Sequence, residues 1–407
     1  FFWTEKIRNM TRHVTLRSFE FLGLFRILRN ISSFFAVKEN KVFADLFQGV
    51  GFFVNNIKKW YNIFAIKNKY FMKFINKIQV ANLKGRGGAE FPTAFKWLSV
   101  SKGHLKEFNQ PCYVVCNGAE GEPGMFKDGY ILQNYPEKVI EGIKIAMDTV
   151  GAEKGYIYLR QDYLKKFKNH LKKYIGKLPI ELTAEKIGYL GGEETTLLET
   201  IQGDRPEPRL KPPYPTDFGL FGCPTLINNV ETFYQISQIQ HNEYKNTRFF
   251  CISGDAPKKG VYEFPVDMSI GEILKRTKNV PRFNYFVQVG GGAAGEILTK
   301  EELNKPLTGA GGIIVYNLKK TDTKELIKKW VNFFFDYNCG KCVPCREGLY
   351  RLREMLQKKE IDMVLLRSVL RTMRDASFCP LGKSVYLPID SMLESVKVNY
   401  KNKRDIK

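Results

Sequence analysis

Short apolar runs and longer amphipathic stretches alternate along most of this chain. Tyr113-Val114-Val115-Cys116 and Tyr156-Ile157-Tyr158-Leu159 lack a polar face, the pattern of strands buried on both sides of a parallel sheet. Between them, Pro136 to Val150 places Val139, Ile140, Ile143, Ile145 and Ala146 at helical spacing, which predicts a helix packed on that sheet. From Ala81 to about Gln240 the pattern is α/β. A further segment opens at Phe249-Phe250-Cys251-Ile252-Ser253-Gly254. Strands over Tyr285 to Val289 and Ile313 to Tyr316, with a helix over Ile270 to Arg276, predict a small α+β module ending near Asn317. From Thr321 onward the chain reads as helical, with Leu349, Leu352 and Leu356 on one face and Leu365, Val369 and Met373 on another. Upstream, Phe71, Phe74 and Ile78 predict a helix leading into the first glycine cluster.

Length and charge narrow the picture. The 407 residues, 43% of them hydrophobic, suffice for two to three structural units. No apolar run reaches the ~20 residues that a membrane-spanning helix needs. The nearest, Phe43 to Ile66, is broken by Asn55, Asn56, Lys58 and Lys59. The expectation is a chain without a direct membrane span, soluble or bound to a soluble face of something larger. The net charge of +22 is uneven, since residues 1–80 hold 14 Lys/Arg against 4 Asp/Glu. A basic balance admits nucleic acid, anionic lipid or an acidic protein partner. No nucleic-acid-binding signature accompanies the lysines, so solvated lysine faces are the plain reading and a large assembly with acidic partners the other. Thr11 to Ser18 is basic, hydroxylated and poor in acid, like an organellar targeting sequence; a structural arm is the competing reading.

Of eight cysteines, Cys112, Cys116, Cys223 and Cys251 are isolated or loosely spaced, with packing as the ordinary role of Cys112 and Cys116. Cys339, Cys342 and Cys345 form a tight triplet, followed by Cys379 34 residues later. Clustered thiols in a long chain without a secretory segment favour metal or cofactor binding over disulfides. One loop and helix start would supply three thiolates and a distant fourth would close the site, which suits an iron–sulfur cluster. A structural zinc site and unligated thiols stay open on spacing alone.

Three glycine-rich loops and one proline-rich loop remain. Gly85-Arg86-Gly87-Gly88 lies at an expected helix entry, where backbone amides could approach a phosphate, with Lys96 within reach of an anion. The dinucleotide pattern fails at Glu90. Asn117 to Gly124 and Gly191 to Thr195 are acidic glycine loops whose carboxylates could accept from ribityl, ribose or amide groups. Pro208 to Pro215 is rigid and carries Tyr214, an aromatic able to stack on a base; Asn228 and Asn229 follow.

Taken in order, GRGGAEFPTAFKW, CNGAEGEPG, YLGGEETTLLE, PRLKPPYP, FGCPTLINNVET, CGKCVPCREG and FCPLG resemble the flavoprotein NADH-binding subunit of respiratory complex I. The resemblance runs from about residue 75 to 395 and leaves out residues 1–70. It implies an α/β fold with a Rossmann-like FMN/NADH domain (81–245), a small ubiquitin-like α+β module (246–320) and a C-terminal helical bundle (321–407), after a basic, aromatic-rich extension and lead-in helix (1–80). It implies a [4Fe–4S] cluster on Cys339, Cys342, Cys345 and Cys379. FMN would touch Gly85, Gly87, Lys96, Asn117, Glu120, Tyr189, Gly192, Glu193, Asn228 and Asn229, with Arg86 and Gly88 in the same phosphate loop. NADH, the substrate, would lie near Phe91, Glu122, Glu194, Lys211 and Tyr214. The chemistry would be flavin-borne, with no catalytic side chain of the protein's own.

The implied partners are other peripheral-arm subunits, especially a thioredoxin-like 2Fe–2S subunit and the large iron–sulfur subunit, on the matrix side of the mitochondrial inner membrane, with no nucleic acid. The chain departs from the family at Ala119, where an aspartate is usual, at Glu90 and Ala94, where glycines are usual, and at Ser99, where a second stacking phenylalanine is common. Two other readings stand beside this one. One is a degenerate homologue kept as a structural subunit. The other is the diaphorase subunit of a hydrogenase or formate dehydrogenase, which often carries fused iron–sulfur domains for which this chain has no further cysteine cluster.

Overall fold

The structure, a computed structural model, describes residues 72–106, 110–396 and 401–402, with backbone alone for 102–106 and 401–402. The targeting-like stretch, the Phe43 to Ile66 run and Phe71 lie outside the described residues. Among the described residues no helix is long and apolar enough to cross a membrane.

The first layer is a parallel sheet of β1 (Tyr113–Gly118), β2 (Lys154–Leu159), β3 (Ile180–Ala184) and β4 (Thr225–Asn229), in the order β3-β2-β1-β4. Alternate side chains serve opposite faces. Val114, Cys116, Ile157, Leu159 and Leu226 pack with α1 (72–80), α2 (Thr93–Lys106), α3 (Lys127–Asn134), α4 (Pro136–Val150), α5 (Gln161–Ile175) and α7 (Val230–Gln240). Val115, Tyr156, Tyr158 and Ile227 face Leu197 and Leu198 of α6 (Glu194–Gln202). Cys112 and Cys116 are fully buried in this core. Gly142 lets α4 lie directly on α7, because a Cβ there would collide with the Phe233 carbonyl.

The second layer is a mixed sheet ordered β6-β5-β9-β7-β8: β5 (Thr247–Gly254), β6 (Gly260–Pro265), β7 (Tyr285–Gly290), β8 (Glu296–Thr299) and β9 (Gly312–Asn317). β5 and β9 run parallel at its centre and the other pairs are antiparallel. α8 (Ile270–Arg276) covers one face through Ile270, Ile273 and Leu274, giving the ubiquitin-like arrangement. Ser269 caps α8 by accepting from the Glu272 N–H at 3.3 Å.

The third part is helical: α9 (Thr323–Tyr337), α10 (Val343–Gln357), α11 (Met363–Ala376), α12 (Pro380–Ser384) and α13 (Tyr386–Ser395). Short strands β10 (Glu360–Ile361) and β11 (Lys401–Asn402) pair in parallel. Asp322 and Asp362 cap α9 and α11 by accepting backbone N–H groups. α10 buries Leu349, Leu352 and Leu356. The buried stripe of α11 is Leu366, Leu370 and Met373, which keeps Met373 of the expected stripe but replaces Leu365 and Val369 by their next neighbours, and Leu365 is exposed. Both stripes satisfy i, i+4 spacing, so periodicity alone does not separate them.

Candidate functional site

In the order β3-β2-β1-β4 the chain continues from β1 to one side and returns as β4 on the other. Such a switch point leaves a crevice beyond the carboxyl ends of the two strands, where α/β sheets take their ligands. β1 ends in Asn117-Gly118 and β4 in Asn228-Asn229, with Asn117 in register with Asn229.

The glycine loop closes on itself, the Gly85 N–H donating to the Phe91 carbonyl at 2.9 Å. A Cβ on Gly87 would press within 3.2 Å of Asn229 Cβ, so any larger residue would push the loop or Asn229 aside by a few tenths of an ångström. Gly88 takes φ +114° and Glu90 φ +53°. The Glu90 carboxylate accepts from Arg248 Nη1 and from the Gly309 N–H, both at 3.2 Å, fastening the loop to the ubiquitin-like module. Arg86 turns its guanidinium inward, to the Thr247 carbonyl at 3.2 Å and to Glu231 at 4.0 Å. Its charge is therefore engaged inside the protein, and its N–H donates to the Thr232 hydroxyl at 3.0 Å, tying the loop to α7.

Opposite lies the turn Tyr189–Gly192. Asn117 Nδ2 donates to the Gly192 carbonyl at 2.8 Å and Asn117 Oδ1 accepts from the Ala119 N–H at 3.1 Å, so one asparagine joins both acidic loops. Glu193 caps α6, accepting the Thr195 and Thr196 N–H groups at 2.9 Å each. Lys211 reaches Glu193 at 2.9 Å and Glu194 at 2.8 Å, while Lys96 binds the other Glu194 oxygen and the Ile227 carbonyl, both at 3.0 Å. Burial would raise the Glu194 carboxyl, but the charges of Lys96 and Lys211 prevail and hold it down to about 2. Phe91 and Tyr214 stand about half exposed at the margin, and Phe95 meets Phe91 edge-on at 6.1 Å. Ser99 donates to the Phe95 carbonyl at 3.0 Å.

Several expected cofactor contacts have partners within the protein. Trp97 Nε1 donates to Asn228 Oδ1 at 2.9 Å. Asn229 Nδ2 donates to Asp128 at 2.7 Å, and its Oδ1 caps α7 by accepting from the Glu231 N–H at 3.0 Å. Glu120 is buried against the start of α3, accepting from the Asp128 N–H and the Tyr163 hydroxyl. Glu122 accepts from the Tyr189 hydroxyl at 2.7 Å and the Ala293 N–H at 2.9 Å, joining the acidic loop to the ubiquitin-like module. Beneath them lies a set that sequence reasoning missed: Lys127, almost fully buried, contacts Asp128 at 2.6 Å and Glu231 at 3.2 Å. Burial opposes the Lys127 charge, yet the surrounding carboxylates raise its pKa. The only sequence signal was an unbroken Lys127-Asp128 pair directly after a glycine loop.

The four thiols meet at one cavity. Cys339 follows α9, Cys342 caps α10, Cys345 lies in the first turn of α10 and Cys379 caps α12. All four line the cavity together with Leu190, Pro208, Gly340, Lys341, Phe378 and Leu381. The Cys345 and Cys342 thiols lie within hydrogen-bonding reach of each other, and Cys339 and Cys379 are near enough to act on Cys345 electrostatically. Burial pushes the Cys379 thiol up to about 11 against the pull of the Leu381 and Gly382 N–H groups, and burial also raises Cys345. Three of these thiols are buried and Cys339 is half-buried, and four thiols gathered at one cavity suit the ligand set of an iron–sulfur cluster. Leu190, one wall of this cavity, belongs to the turn Tyr189–Gly192 that borders the crevice.

A family model described as the Nuo51 FMN-binding domain matches residues 78–238, and one described as the NADH-ubiquinone oxidoreductase-F iron-sulfur binding region matches residues 325–403. The F subunit of the NADH-quinone oxidoreductase of Rickettsia akari is 33% identical, covering 88% of this chain and 95% of its own. The F subunit of Aquifex aeolicus is 33% identical over 76% and 81%, and an F subunit of Rhizobium meliloti 30% identical over 81% and 88%. Among solved structures, an NAD+-reducing [NiFe]-hydrogenase in the H2-reduced state superposes with a TM-score of 0.72 at 30% identity, over 80% of this chain and 61% of that one. The air-oxidised state gives 0.73 at 30% identity over 81% and 63%, so this chain spans about three-fifths of the hydrogenase chains it matches.

Proposed function

Because the chain belongs to the family of NADH-quinone oxidoreductase F subunits, we propose that it is the point of electron entry into such a complex, oxidising NADH and passing electrons on through a metal cluster. FMN would be held in the crevice, and a [4Fe–4S] cluster by Cys339, Cys342, Cys345 and Cys379. The observation that carries this reading is the shared turn: Tyr189–Gly192 borders the crevice through Gly192 and walls the thiol cavity through Leu190. Groups held in the crevice and in the thiol cavity would lie on either side of this one four-residue turn.

When bound, FMN takes a hydride from NADH and the cluster takes electrons singly, a division of labour that belongs to the cofactors. The protein's residues bind, orient and exclude water. The Gly85 and Arg86 N–H groups are taken by the Phe91 carbonyl and the Thr232 hydroxyl, so the Gly87 and Gly88 amides are the ones that would face a phosphate, with Lys96 supplying charge. Asn117, Glu120, Tyr189, Gly192, Glu193, Asn228 and Asn229 shape the floor and walls. Phe91, Glu122, Glu194, Lys211 and Tyr214 form the side from which the nicotinamide nucleotide enters. No side chain acts as acid or base. The histidines whose side chains are described, His170 in α5 and His241 at the end of α7, take no part in the crevice.

Electrons leave to neighbouring chains of the complex; a thioredoxin-like 2Fe–2S protein and the large iron–sulfur component suit that chemistry. The relatives named above are bacterial; placement on the matrix side of the mitochondrial inner membrane rests on the Thr11 to Ser18 pattern. The test is the purified chain itself: flavin absorbance, iron and acid-labile sulfide, and NADH-driven reduction of ferricyanide. Protein that takes up no flavin and reduces no ferricyanide would sink the proposal and leave a purely structural role.

A further inference from the structure

Lys341 sits between Cys339 and Cys342 and is one of the residues lining the cavity shared by the four thiols, as is Pro208, whose carbonyl holds its ammonium. Its ammonium is held by Glu207 Oε1 at 2.8 Å and by the Pro208 carbonyl at 3.2 Å. The backbone here has supports of its own. Gly340, at φ +71°, donates its N–H to Asn338 Oδ1 at 2.9 Å, and its carbonyl accepts from Arg346 Nη1 at 2.8 Å. The link to Glu207 is therefore not what holds the loop; what it fixes is where the charge of Lys341 stands. Glu207 also meets Arg205 Nε at 3.4 Å and does not line the cavity itself.

Reducing a cluster adds negative charge to it, so a cation held at its wall favours the reduced form and raises the reduction potential. A carboxylate nearby acts in the opposite direction, more weakly when it stands farther off. Both side chains are only partly exposed, at 35% and 27%, so water weakens the interaction without abolishing it.

We propose that Lys341 is a positioning residue for electron transfer, a fixed positive charge at the cluster wall that Glu207 orients and partly offsets, and that sets the cluster's reduction potential. The same pair joins the cluster loop to the proline-rich loop bearing Lys211 and Tyr214. The inference rests on the cluster assignment made above.

The experiment is a redox titration of the full chain carrying its cluster, followed by the paramagnetic resonance signal of the reduced cluster. Lys341→Gln lowers the potential, Lys341→Arg leaves it near that of the unmodified chain, and Glu207→Gln raises it. Added salt narrows the spread. Glu207→Gln removes the negative charge but keeps an amide oxygen that, with the Pro208 carbonyl, still positions Lys341, whereas a role confined to holding the loop would shift both variants in the same direction. Potentials that coincide, or shift together, overturn the proposal. Should Lys341→Gln assemble no cluster by iron and sulfide analysis, Glu207→Gln decides alone: a rise supports the proposal, and no rise overturns it. Absence of iron from the unmodified chain would instead overturn the cluster assignment, and this inference with it.

Discussion

The Tyr163 hydroxyl donates to a Glu120 carboxylate oxygen at 2.8 Å inside the wall of the crevice. Burial is the main influence on that carboxyl and the Asp128 charge the next; together they outweigh Lys127, Tyr163 and the Asp128 N–H, and push it up to about 7. A carboxyl whose pKa is higher folded than unfolded keeps its proton in the native state after the unfolded chain has lost it. Stability then falls as pH rises from about 4.5 towards 7. Glu120→Gln removes this component. Melting temperatures measured from pH 5 to pH 8 will decline for the unmodified chain and decline less for the variant. Parallel profiles would place the titration elsewhere.

Lys211 bridges Glu193 and Glu194 on the side of the crevice proposed above for dinucleotide entry. Its removal leaves two carboxylates facing a phosphate-bearing substrate. Hydrogen bonds to charged groups are worth about 1.5–3 kcal/mol. Lys211→Ala is therefore expected to raise the KM for NADH about 10- to 100-fold, with a smaller change in kcat. Lys211→Arg should recover part of the loss. Steady-state ferricyanide reduction separates the two constants; a fall in kcat alone would contradict this placement.

Cys379 comes from the start of α12, apart from the triplet at the start of α10. Cys379→Ser opens one side of the cavity while leaving the crevice loops intact. Iron and sulfide should drop to near zero while flavin absorbance stays at the unmodified level. Equal loss of both would mean that the helical part and the crevice fold as one dependent unit.

Much of this organisation was readable from spacing. Pro136–Val150 and Ile270–Arg276 stand as helices where the apolar periodicity put them, and the thiols of the triplet and Cys379 share one cavity. Other features were silent for physical reasons. β6 reads Gly-Val-Tyr-Glu-Phe-Pro and is mostly half-exposed at a sheet edge, so it lacks the apolar run of a central strand. Lys127, Asp128 and Glu231 look like surface residues in sequence, because burial of a charge depends on partners more than 100 positions away. Asn228 and Asn229 were read as groups for a cofactor, yet Trp97, Asp128 and the start of α7 engage them first. Residue type marks what a group can bond, and only the fold decides which partner reaches it.

Glu90 concentrates that lesson in one position. Its φ of +53° is a conformation that costs a side-chain-bearing residue roughly 1–2 kcal/mol, and glycine almost nothing. Its carboxylate, however, meets Arg248, whose guanidinium is almost fully buried, and the Gly309 N–H. Glu90→Gly relieves the backbone but leaves that guanidinium short of an anionic partner, and breaking a buried pair commonly costs about 3–5 kcal/mol. Because Glu90 is itself partly exposed, the cost here should lie at the low end. The net expectation is a loss of about 1–3 kcal/mol in chemical denaturation, despite the substitution favouring the local conformation. Glu90→Gly combined with Arg248→Met should recover most of it, since the orphaned charge is then gone. A single Glu90→Gly variant more stable than the unmodified chain would show that the contact with Arg248 contributes less than the strain it imposes.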